Sequence, residues 1–391
     1  MVLGKVLNTP ILNSSHPRRR RYRKAGVLAG YVKQSAIALI AFLVAACLLN
    51  QIIPSPTIPS NVVFIGPKYD YYQAHKDEYN TLFFGSSRIY SHIIPEVFDS
   101  TVQTVEPANS QPINNPINNP TINSYNFGIP AMRAIDSVVL LQEVLATPPK
   151  NLKWVFFESI LDKGYEPISN ARTQRAMYWH TWENTRLAAQ YILTSDESLP
   201  SKAVLLSSHL LPFVYQQLNV GRLFNQVLPS EFSAEEQKVA AEFTATKGYY
   251  ALKDRPGDAA NPERQDFLQN QAAYQEQVDT LKAMQAQSVG EPYLSKNKQQ
   301  LLERITQIVR AAGAEPIFVE PPSLHMVNDF QAAQQLGIIN TLLSYKDPAQ
   351  FPQLYDPVQR YDAAHLNDSG SRKFTKLLAA DFAKKISGSA Q

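Results

Sequence analysis

The sequence predicts an α/β fold built on a parallel sheet, and three observations point to it. Short apolar runs recur along the chain, turn residues bound each run, and longer stretches of helical periodicity separate them. Apolar strands that alternate with helices are typical of a sheet whose two faces are both covered by helices. The four runs are TLFFG (81–85), SYNFG (124–128), LKWVFFE (152–158) and EPIFVE (315–320).

The helices are predicted from the segments between and after these strands. Apolar residues recur at helical spacing in 131–146, 296–313 and 370–386, and Gly313 stands where the second of these helices should end. Residues 165–295 are polar and aromatic, with a mostly helical pattern. We expect them to form a helical insertion that caps or flanks a cleft.

The charge balance divides the chain into two parts of opposite sign. The 391 residues carry a net charge of +3, but residues 1–34 hold eight lysines and arginines and no acidic residue. Residues 55–391 therefore carry a net charge of −5, which makes nucleic acid an unsuitable partner.

The composition excludes several classes of protein. With 44% hydrophobic and 18% charged residues, the chain is not wholly disordered. Its single cysteine, Cys47, excludes a disulfide framework and a cysteine-based zinc site. No two glycines have the G-x-G spacing of a dinucleotide-binding fingerprint. We predict no cofactor and no metal ion.

The N-terminal segment predicts a transmembrane helix. The run Ser35–Leu49 is apolar and uncharged, and with its flanking residues it is long enough to span a bilayer, so we place the helix at 35–54. The basic cluster RRRRYRK (18–24) precedes it. Positive charge on this side predicts that residues 1–34 form a cytoplasmic leader and that the rest of the chain is exported.

Two other interpretations of this segment remain open. One is a cleaved signal peptide, although such peptides have a shorter basic region. The other is a lipoprotein, because Val44-Ala45-Ala46-Cys47 resembles a bacterial lipoprotein cleavage box in which Cys47 is lipidated.

The exported part divides into a spacer and a domain. A proline-rich stretch follows the helix and predicts an extended spacer over 55–79. The α/β domain then covers 80–391, with the insertion at 165–295.

Candidate catalytic residues follow the first strand and precede the last helix. The first strand ends in Gly85-Ser86-Ser87-Arg88, where a serine in a tight turn at the carboxyl end of a strand is exposed at the sheet edge. A serine there needs a base to take its proton. His365 precedes the last predicted helix, and Asp362 lies three residues before it. These positions predict a Ser-His-Asp triad that His365 and Asp362 form with a serine of this turn.

These residues resemble the sequence blocks of the SGNH (GDSL-type) hydrolase superfamily. Gly85-Ser86-Ser87 resembles its Gly-Asp-Ser block, Asn126-Phe127-Gly128 resembles the second block, and Asp362 with His365 resembles the Asp-x-x-His block. The resemblance implies a three-layer, flavodoxin-like parallel sheet with Ser87 as the nucleophile. It also implies that the backbone N–H groups of Ser87 and Gly128 stabilise the oxyanion.

One block of the superfamily is missing. Its third block is a Gly-x-Asn whose side chain completes the oxyanion hole, whereas the third strand here runs from Phe157 through Glu158 to Asp162 without an asparagine. Loss of one oxyanion donor typically costs about 2.7–4 kcal/mol. A carboxylate at this place would repel an oxyanion unless it is protonated or turned away. Either another group supplies the donor, or the chain is not an ordinary hydrolase.

A chain with this first block, a degraded third block and one N-terminal helix is similar to the partner proteins of membrane-bound O-acyltransferases. These include the alginate and cellulose O-acetylation accessory proteins and the D-alanine transfer protein of teichoic acid synthesis. The resemblance implies a single-pass protein of the bacterial cytoplasmic (inner) membrane that acts on a glycan or an acylated small molecule. It also implies a membrane-bound O-acyltransferase as a partner. The function expected is acyl transfer or ester cleavage on a cell-envelope or exopolysaccharide glycan. The alternative is a non-catalytic partner that binds glycan or acts as a scaffold.

Six residues are candidates for substrate binding. Arg88 follows the nucleophile and either contacts an anionic substrate or pairs with an acid. The cluster that ends in His180 either stacks on sugars or forms the core of the insertion. His325 follows the fourth strand and is either a site residue or a structural one. The candidates are Arg88, Arg175, Tyr178, Trp179, His180 and His325.

Overall fold

The structure is a computed structural model of the chain. It describes residues 17–52, 58, 62, 64–104, 121–158, 161, 173–218, 233–253, 261–287, 291–325 and 328–388. The first sixteen residues of the predicted leader, most of 53–63 and parts of the predicted insertion lie outside the described residues.

The chain forms two compact units. The first comprises Met1–Pro54 and Gln217–Phe224, and the second comprises Ser55–Gln216 and Asn225–Gln391.

Helix α1 (Pro17–Ile52) lies in the first unit. Within the described part of the chain, its segment Gly30–Leu49 is the one stretch long and apolar enough to cross a membrane. An apolar N-terminal helix of membrane-spanning length is thereby confirmed, but with the bounds Gly30–Leu49 in place of the predicted 35–54, whose last two residues lie outside the described part of the chain. The helix begins earlier than predicted, because the arginine-rich cluster 18–24 consists of good helix formers. Cys47 lies within α1, and its lipidation stays a prediction.

The second unit is built on a five-stranded parallel sheet, which confirms the predicted α/β class. The strands are β1 Thr81–Gly85, β2 Ser124–Gly128, β3 Trp154–Phe157, β4 Glu315–Glu320 and β5 Leu342–Ser344. Their order across the sheet is β2-β1-β3-β4-β5. The sequence predicts the first four strands but not β5, because three half-buried residues are too few to produce an apolar run.

The register brings the carboxyl ends of the strands to one edge of the sheet. Gly85 at the end of β1 lies opposite Gly128 at the end of β2, and Phe84 lies opposite Phe157 at the end of β3. The chain leaves β1 toward β2 on one side and returns to β3 on the other. Ligand sites in such sheets lie at the carboxyl edge of this switch point.

Helices of the second unit cover both faces of the sheet. They are α2 Gly66–His75, α3 Ser87–His92, α4 Pro95–Thr104, α5 Ala134–Leu145, α6 Gln174–Trp179, α7 Trp182–Leu193, α8 Leu199–Leu218, α9 Ala234–Ala245, α10 Pro262–Gln269, α11 Gln271–Gln287, α12 Lys296–Ala311, α13 Asp329–Gln335 and α14 Asp368–Gly388. The residues of α8 up to Gln216 belong to this unit.

Two hydrophobic cores follow from the alternation of side chains along the strands. Phe84 and Phe157 lie in a core with residues of α5 and α12. Phe83 and Phe156 point to the opposite face and lie in a core with residues of α4 and α14. The sheet is therefore the middle of three layers.

The helices predicted from periodicity are confirmed. Helices α5, α12 and α14 occupy the three predicted segments, and Gly313 follows α12 with a positive φ of 78°. Helices α6 to α11 lie within 165–295, which confirms a mainly helical insertion.

The predicted extended spacer over 55–79 is wrong for its second half. Helix α2 spans Gly66–His75, and a short 3₁₀ helix spans Lys76–Glu78. Lys68 and Tyr72 lie one turn apart on the buried face of α2, and the Tyr72 ring contacts Phe127 of β2 edge-on. This segment is helical because that face packs against the sheet.

Lys68 fastens α2 to the carboxyl end of β2. Its Nζ donates hydrogen bonds to Gly128 O at 2.7 Å and to Asn126 O at 3.2 Å. It also lies 4.7 Å from the ring centroids of both Tyr90 and Phe243. The side chain is fully buried, and this burial lowers the pKa of Lys68 well below its usual value.

Replacing Lys68 with methionine should remove part of the pH dependence of stability. Because the pKa is lowered on folding, the unfolded chain binds more protons between that lowered pKa and the usual value of 10.5. The free energy of unfolding therefore rises with pH across this window. Melting temperatures are measured by circular dichroism from about pH 7 to pH 10. The melting temperature of the wild type should rise relative to that of Lys68→Met as the pH rises. A constant difference would mean that Lys68 keeps its ordinary pKa.

Candidate active site

Ser87 is the first residue of α3, directly after the turn that ends β1. Ser86 caps this helix, and its side chain accepts a hydrogen bond from the Arg88 N–H. Gly85 allows the turn to lie close to β3, since a Cβ at this position would come within 2.6 Å of Glu158 Oε2. This turn places the Ser87 side chain at the carboxyl edge of the sheet.

Three of the predicted residues meet in a chain of hydrogen bonds. His365 Nε2 lies 2.8 Å from Ser87 Oγ, and His365 Nδ1 lies 2.9 Å from each carboxylate oxygen of Asp362. This is the arrangement of a Ser-His-Asp triad, in which Nε2 can take the serine proton while the carboxylate orients the imidazole. The residues that provide the two reacting atoms lie 278 positions apart in the chain.

The backbone around Asp362 prepares the carboxylate for this role. Its Oδ1 accepts hydrogen bonds from the backbone N–H groups of Ala364 and His365, each at 2.8 Å. Burial on its own would raise the pKa of Asp362, but the hydrogen bonds and the charge of His365 outweigh it and hold the pKa below its usual value. Asp362 is therefore ionised, as the orienting acid must be.

His92, the last residue of α3, holds the loop that carries His365. Its Nε2 accepts a hydrogen bond from the Leu366 N–H at 3.0 Å, and its ring packs edge-on against the His365 ring with centroids 6.0 Å apart. Ser371 and Thr375 of α14 donate to the carbonyl oxygens of Ser91 and His92. One six-residue helix thus carries the nucleophile at its start and anchors the base at its end.

His92 must be neutral for this contact. Its side chain is fully buried, and burial, followed by the charge of His365, lowers its pKa well below the usual value. Because Nε2 accepts a hydrogen bond, the proton of the neutral ring is on Nδ1. Sequence reasoning found no role for His92, because its partner is a backbone N–H that only the fold brings to it.

Arg88 and Glu158 form a buried ion pair beside the nucleophile turn. The Arg88 guanidinium donates to Glu158 Oε1, and the Ser86 N–H donates to Glu158 Oε2 at 2.7 Å. The expectation that Arg88 contacts an anionic substrate is therefore replaced by its alternative, pairing with an acid. The carboxylate after β3 is turned toward these donors, which removes the predicted repulsion of an oxyanion.

Gly128 does not fit the role predicted from the resemblance. Its N–H already donates to Asn126 Oδ1 at 2.8 Å, so it is not free to stabilise an oxyanion. The Asn126 amide nitrogen donates to the carbonyl oxygens of Ile89 and Ile93 at 2.8 Å each. A Cβ on Gly128 would lie 2.1 Å from the Tyr90 nitrogen. This block therefore docks β2 closely against α3, and Ser87 N–H remains as the predicted oxyanion donor.

The aromatic cluster at 175–180 is part of the core rather than a sugar-stacking surface. Tyr178 is 7% exposed and Trp179 is 4% exposed. His180 Nε2 lies 2.8 Å from His209 Nδ1 of α8. Arg175 donates to the Pro130 carbonyl at 2.7 Å. Burial of Tyr178, Trp179 and His180 replaces the expectation of sugar stacking by its alternative, the core of the insertion, whereas Arg175 is half-buried and its role in substrate binding stays a prediction.

His325 lies at the carboxyl edge of the sheet, as predicted from its place after β4. It lines a pocket together with Arg88, Glu158, Glu320 and Lys346. Lys346 and Glu320 are buried and form an ion pair with 3.6 Å between the charged atoms. The pocket therefore combines charged side chains with an apolar lining that includes Val319 and Phe330, and it adjoins the nucleophile turn.

In the described part of the chain, no group of three or more histidine, cysteine, aspartate or glutamate side chains could hold a metal ion.

Comparison with protein families and with characterised proteins yielded no match for this chain.

Two substitutions at His92 should separate loop positioning from general packing. Glutamine retains an acceptor for the Leu366 N–H, whereas leucine leaves that buried donor unpaired at a cost of about 1–3 kcal/mol. We expect His92→Leu to slow the reaction of Ser87 with a fluorophosphonate probe by about 5- to 150-fold if this cost falls on the positioning of His365. His92→Gln should recover most of the rate. The melting temperatures of both variants provide the control, and an equal loss of rate in both would contradict the positioning role.

Proposed function

We propose that the chain is a membrane-anchored serine acyltransferase or esterase of the SGNH type that acts on O-acyl groups of a cell-envelope or exopolysaccharide glycan. The observation that carries the proposal is the assembled triad, in which Ser87 Oγ lies 2.8 Å from His365 Nε2. A serine held this way at the carboxyl edge of an α/β sheet has a base for its proton and an acid behind the base. The glycan and the SGNH type rest on the resemblance of the sequence blocks.

The reaction has two balanced steps. Ser87 Oγ attacks the acyl carbonyl while His365 Nε2 takes the hydroxyl proton, and the donor oxygen leaves with that proton. The acyl group is then an ester of Ser87. His365 next takes a proton from a sugar hydroxyl or from water, which attacks this ester, and the proton returns to Ser87 Oγ. The attacking group decides between transfer and hydrolysis.

The Ser87 N–H supports the oxyanion in this scheme. It belongs to the first residue of α3, where helix N–H groups have no partner within the helix. The ion pair of Arg88 with Glu158 keeps the nearby carboxylate from opposing the developing charge. This arrangement provides fewer donors than the superfamily pattern does.

A non-catalytic partner of a membrane-bound O-acyltransferase, which binds glycan or acts as a scaffold, is the second candidate. Two observations favour it. The Gly128 N–H donates to Asn126 Oδ1, and the third strand is followed by Glu158 with no asparagine. Such a protein would keep the fold without turnover. In either case the N-terminus would face the cytoplasm and the domain would lie outside the bacterial inner membrane.

Labelling with a serine-directed fluorophosphonate distinguishes the two candidates. The full-length wild type in detergent should be labelled, and Ser87→Ala should not, because the nucleophilic oxygen is gone. Ser100→Ala is the matched control, since Ser100 is an exposed serine on α4 that bonds only locally to Val97 O. Absence of labelling in a folded wild type would favour the non-catalytic partner.

The topology can be tested with reporters fused after Gln391. A reporter that is active only outside the cytoplasm should be active in this fusion, because the basic residues precede the apolar helix. Activity of a reporter that functions only inside the cytoplasm would refute export.

A further inference from the structure

Helix α8 has the reverse of the polarity expected for a helix on a water-soluble domain. Its buried residues are Ser208, His209, Pro212 and Gln216. Three of them, Ser208, Pro212 and Gln216, are spaced by four and lie on one face. In a helix at a water-exposed surface, this inner face would be apolar and the outer face polar.

The outer face of α8 is apolar. Its large exposed side chains include Val204, Leu210, Val214 and Tyr215, and Leu199 at the start of the helix is 82% exposed. Leu210 and Val214 are spaced by four and lie on the side opposite the buried set, whereas the exposed Val204, one turn before Ser208, lies at the edge of that side. The sequence of α8 holds one lysine, Lys202, and no acidic residue.

Trp182 of the preceding helix α7 extends this surface. Its side chain is 68% exposed, and its ring centroid lies 6.0 Å from that of Phe213 on α8. Exposed tryptophan and tyrosine beside aliphatic residues are typical of surfaces at the level of lipid headgroups. We call this set, together with the outer face of α8, the α8 surface.

The polar inner face of α8 is used within the protein. His209 pairs with His180 of α6 at 2.8 Å. Ser208, His209 and Gln216 are therefore directed inward, while the large apolar side chains named above are exposed. Exposed apolar surface of this kind is unfavourable in water and marks a site of interaction.

The chain itself indicates what covers the α8 surface. Helix α1 has a segment long and apolar enough to cross a membrane, so a bilayer is available to the same chain. An acidic domain is repelled by anionic lipid, but α8 carries no carboxylate. In the described part of the chain, α8 is not among the segments that could span a bilayer, so a position in the membrane interface fits its length and composition.

We propose that the α8 surface lies in the lipid headgroup and upper acyl region of the membrane and forms a second, non-spanning contact of this protein with the bilayer. The proposal rests on the membrane anchoring by α1 given above. Lipid is the occupant, and the contact holds the domain against the membrane that anchors it.

Site-directed spin labelling of the full chain tests this contact. Cys47 is the one native cysteine, so Cys47→Ala provides the background for single cysteines at Val204, Leu210 and Val214. Each labelled protein is reconstituted in nanodiscs of phosphatidylethanolamine and phosphatidylglycerol. The collision rates of the label with apolar oxygen and with a polar nickel chelate are then compared.

Two further positions calibrate the measurement. Leu39→Cys lies in the apolar segment of α1, and Ala272→Cys lies on an exposed position of α11 outside the α8 surface. The label at position 39 should collide with oxygen far more often than with the nickel chelate, whereas the label at position 272 should collide readily with the nickel chelate. At the three α8 positions the ratio of oxygen collisions to nickel collisions should be severalfold higher than at position 272, because these labels would lie in lipid.

The other outcomes have distinct meanings. If labels at the three α8 positions are as accessible to nickel as the label at position 272, while the label at position 39 lies in lipid, the proposal is overturned and the anchoring stands. Low collision rates with both reagents would mean that protein, such as a second copy, covers the surface, which also overturns it. A nickel-accessible Leu39 would show that the anchoring has failed, and with it the basis of this inference.

Discussion

The hydrogen bond from the Leu366 N–H to the buried His92 imidazole is the interaction on which the site depends. It fixes the loop of His365 to the end of α3, whose first residue is Ser87. Two segments separated by more than 270 residues are thereby held at hydrogen-bonding distance. Such precision requires a rigid support, and a six-residue helix that is contacted at both ends supplies it.

The charge distribution at the sheet edge follows from the same constraint. The turn before α3 must pass close to β3, and Glu158 lies at that approach with one oxygen on the Ser86 N–H and the other on Arg88. A buried carboxylate without partners would be costly, whereas one bound to a guanidinium and a backbone N–H is not. The carboxylate that seemed an obstacle to acyl chemistry thus fixes the nucleophile turn.

Local patterns in the sequence predicted the parts of the molecule that local physics determines. The apolar runs of β1 to β4 and the periodicity of α5, α12 and α14 are read from neighbouring residues, and the triad follows from their places at strand and helix ends. The partners of His92 and Glu158 are distant in sequence and are brought together only by packing. For the aromatic cluster at 175–180 the sequence left two interpretations open, because composition does not say which side of a helix is buried. Helix α2 was missed because the prolines before it suggested an extended chain.

The reversed polarity of α8 connects the charge count to the proposed location. Residues 55–391 carry a net charge of −5, and an acidic surface is repelled by anionic lipid. A domain tethered by one helix would therefore be held off the bilayer by its own charge, unless one face lacks carboxylates and offers apolar area. Helix α8 has both properties. An enzyme that receives acyl groups from a membrane-embedded source would need such a face, because a tether alone limits distance but does not fix orientation.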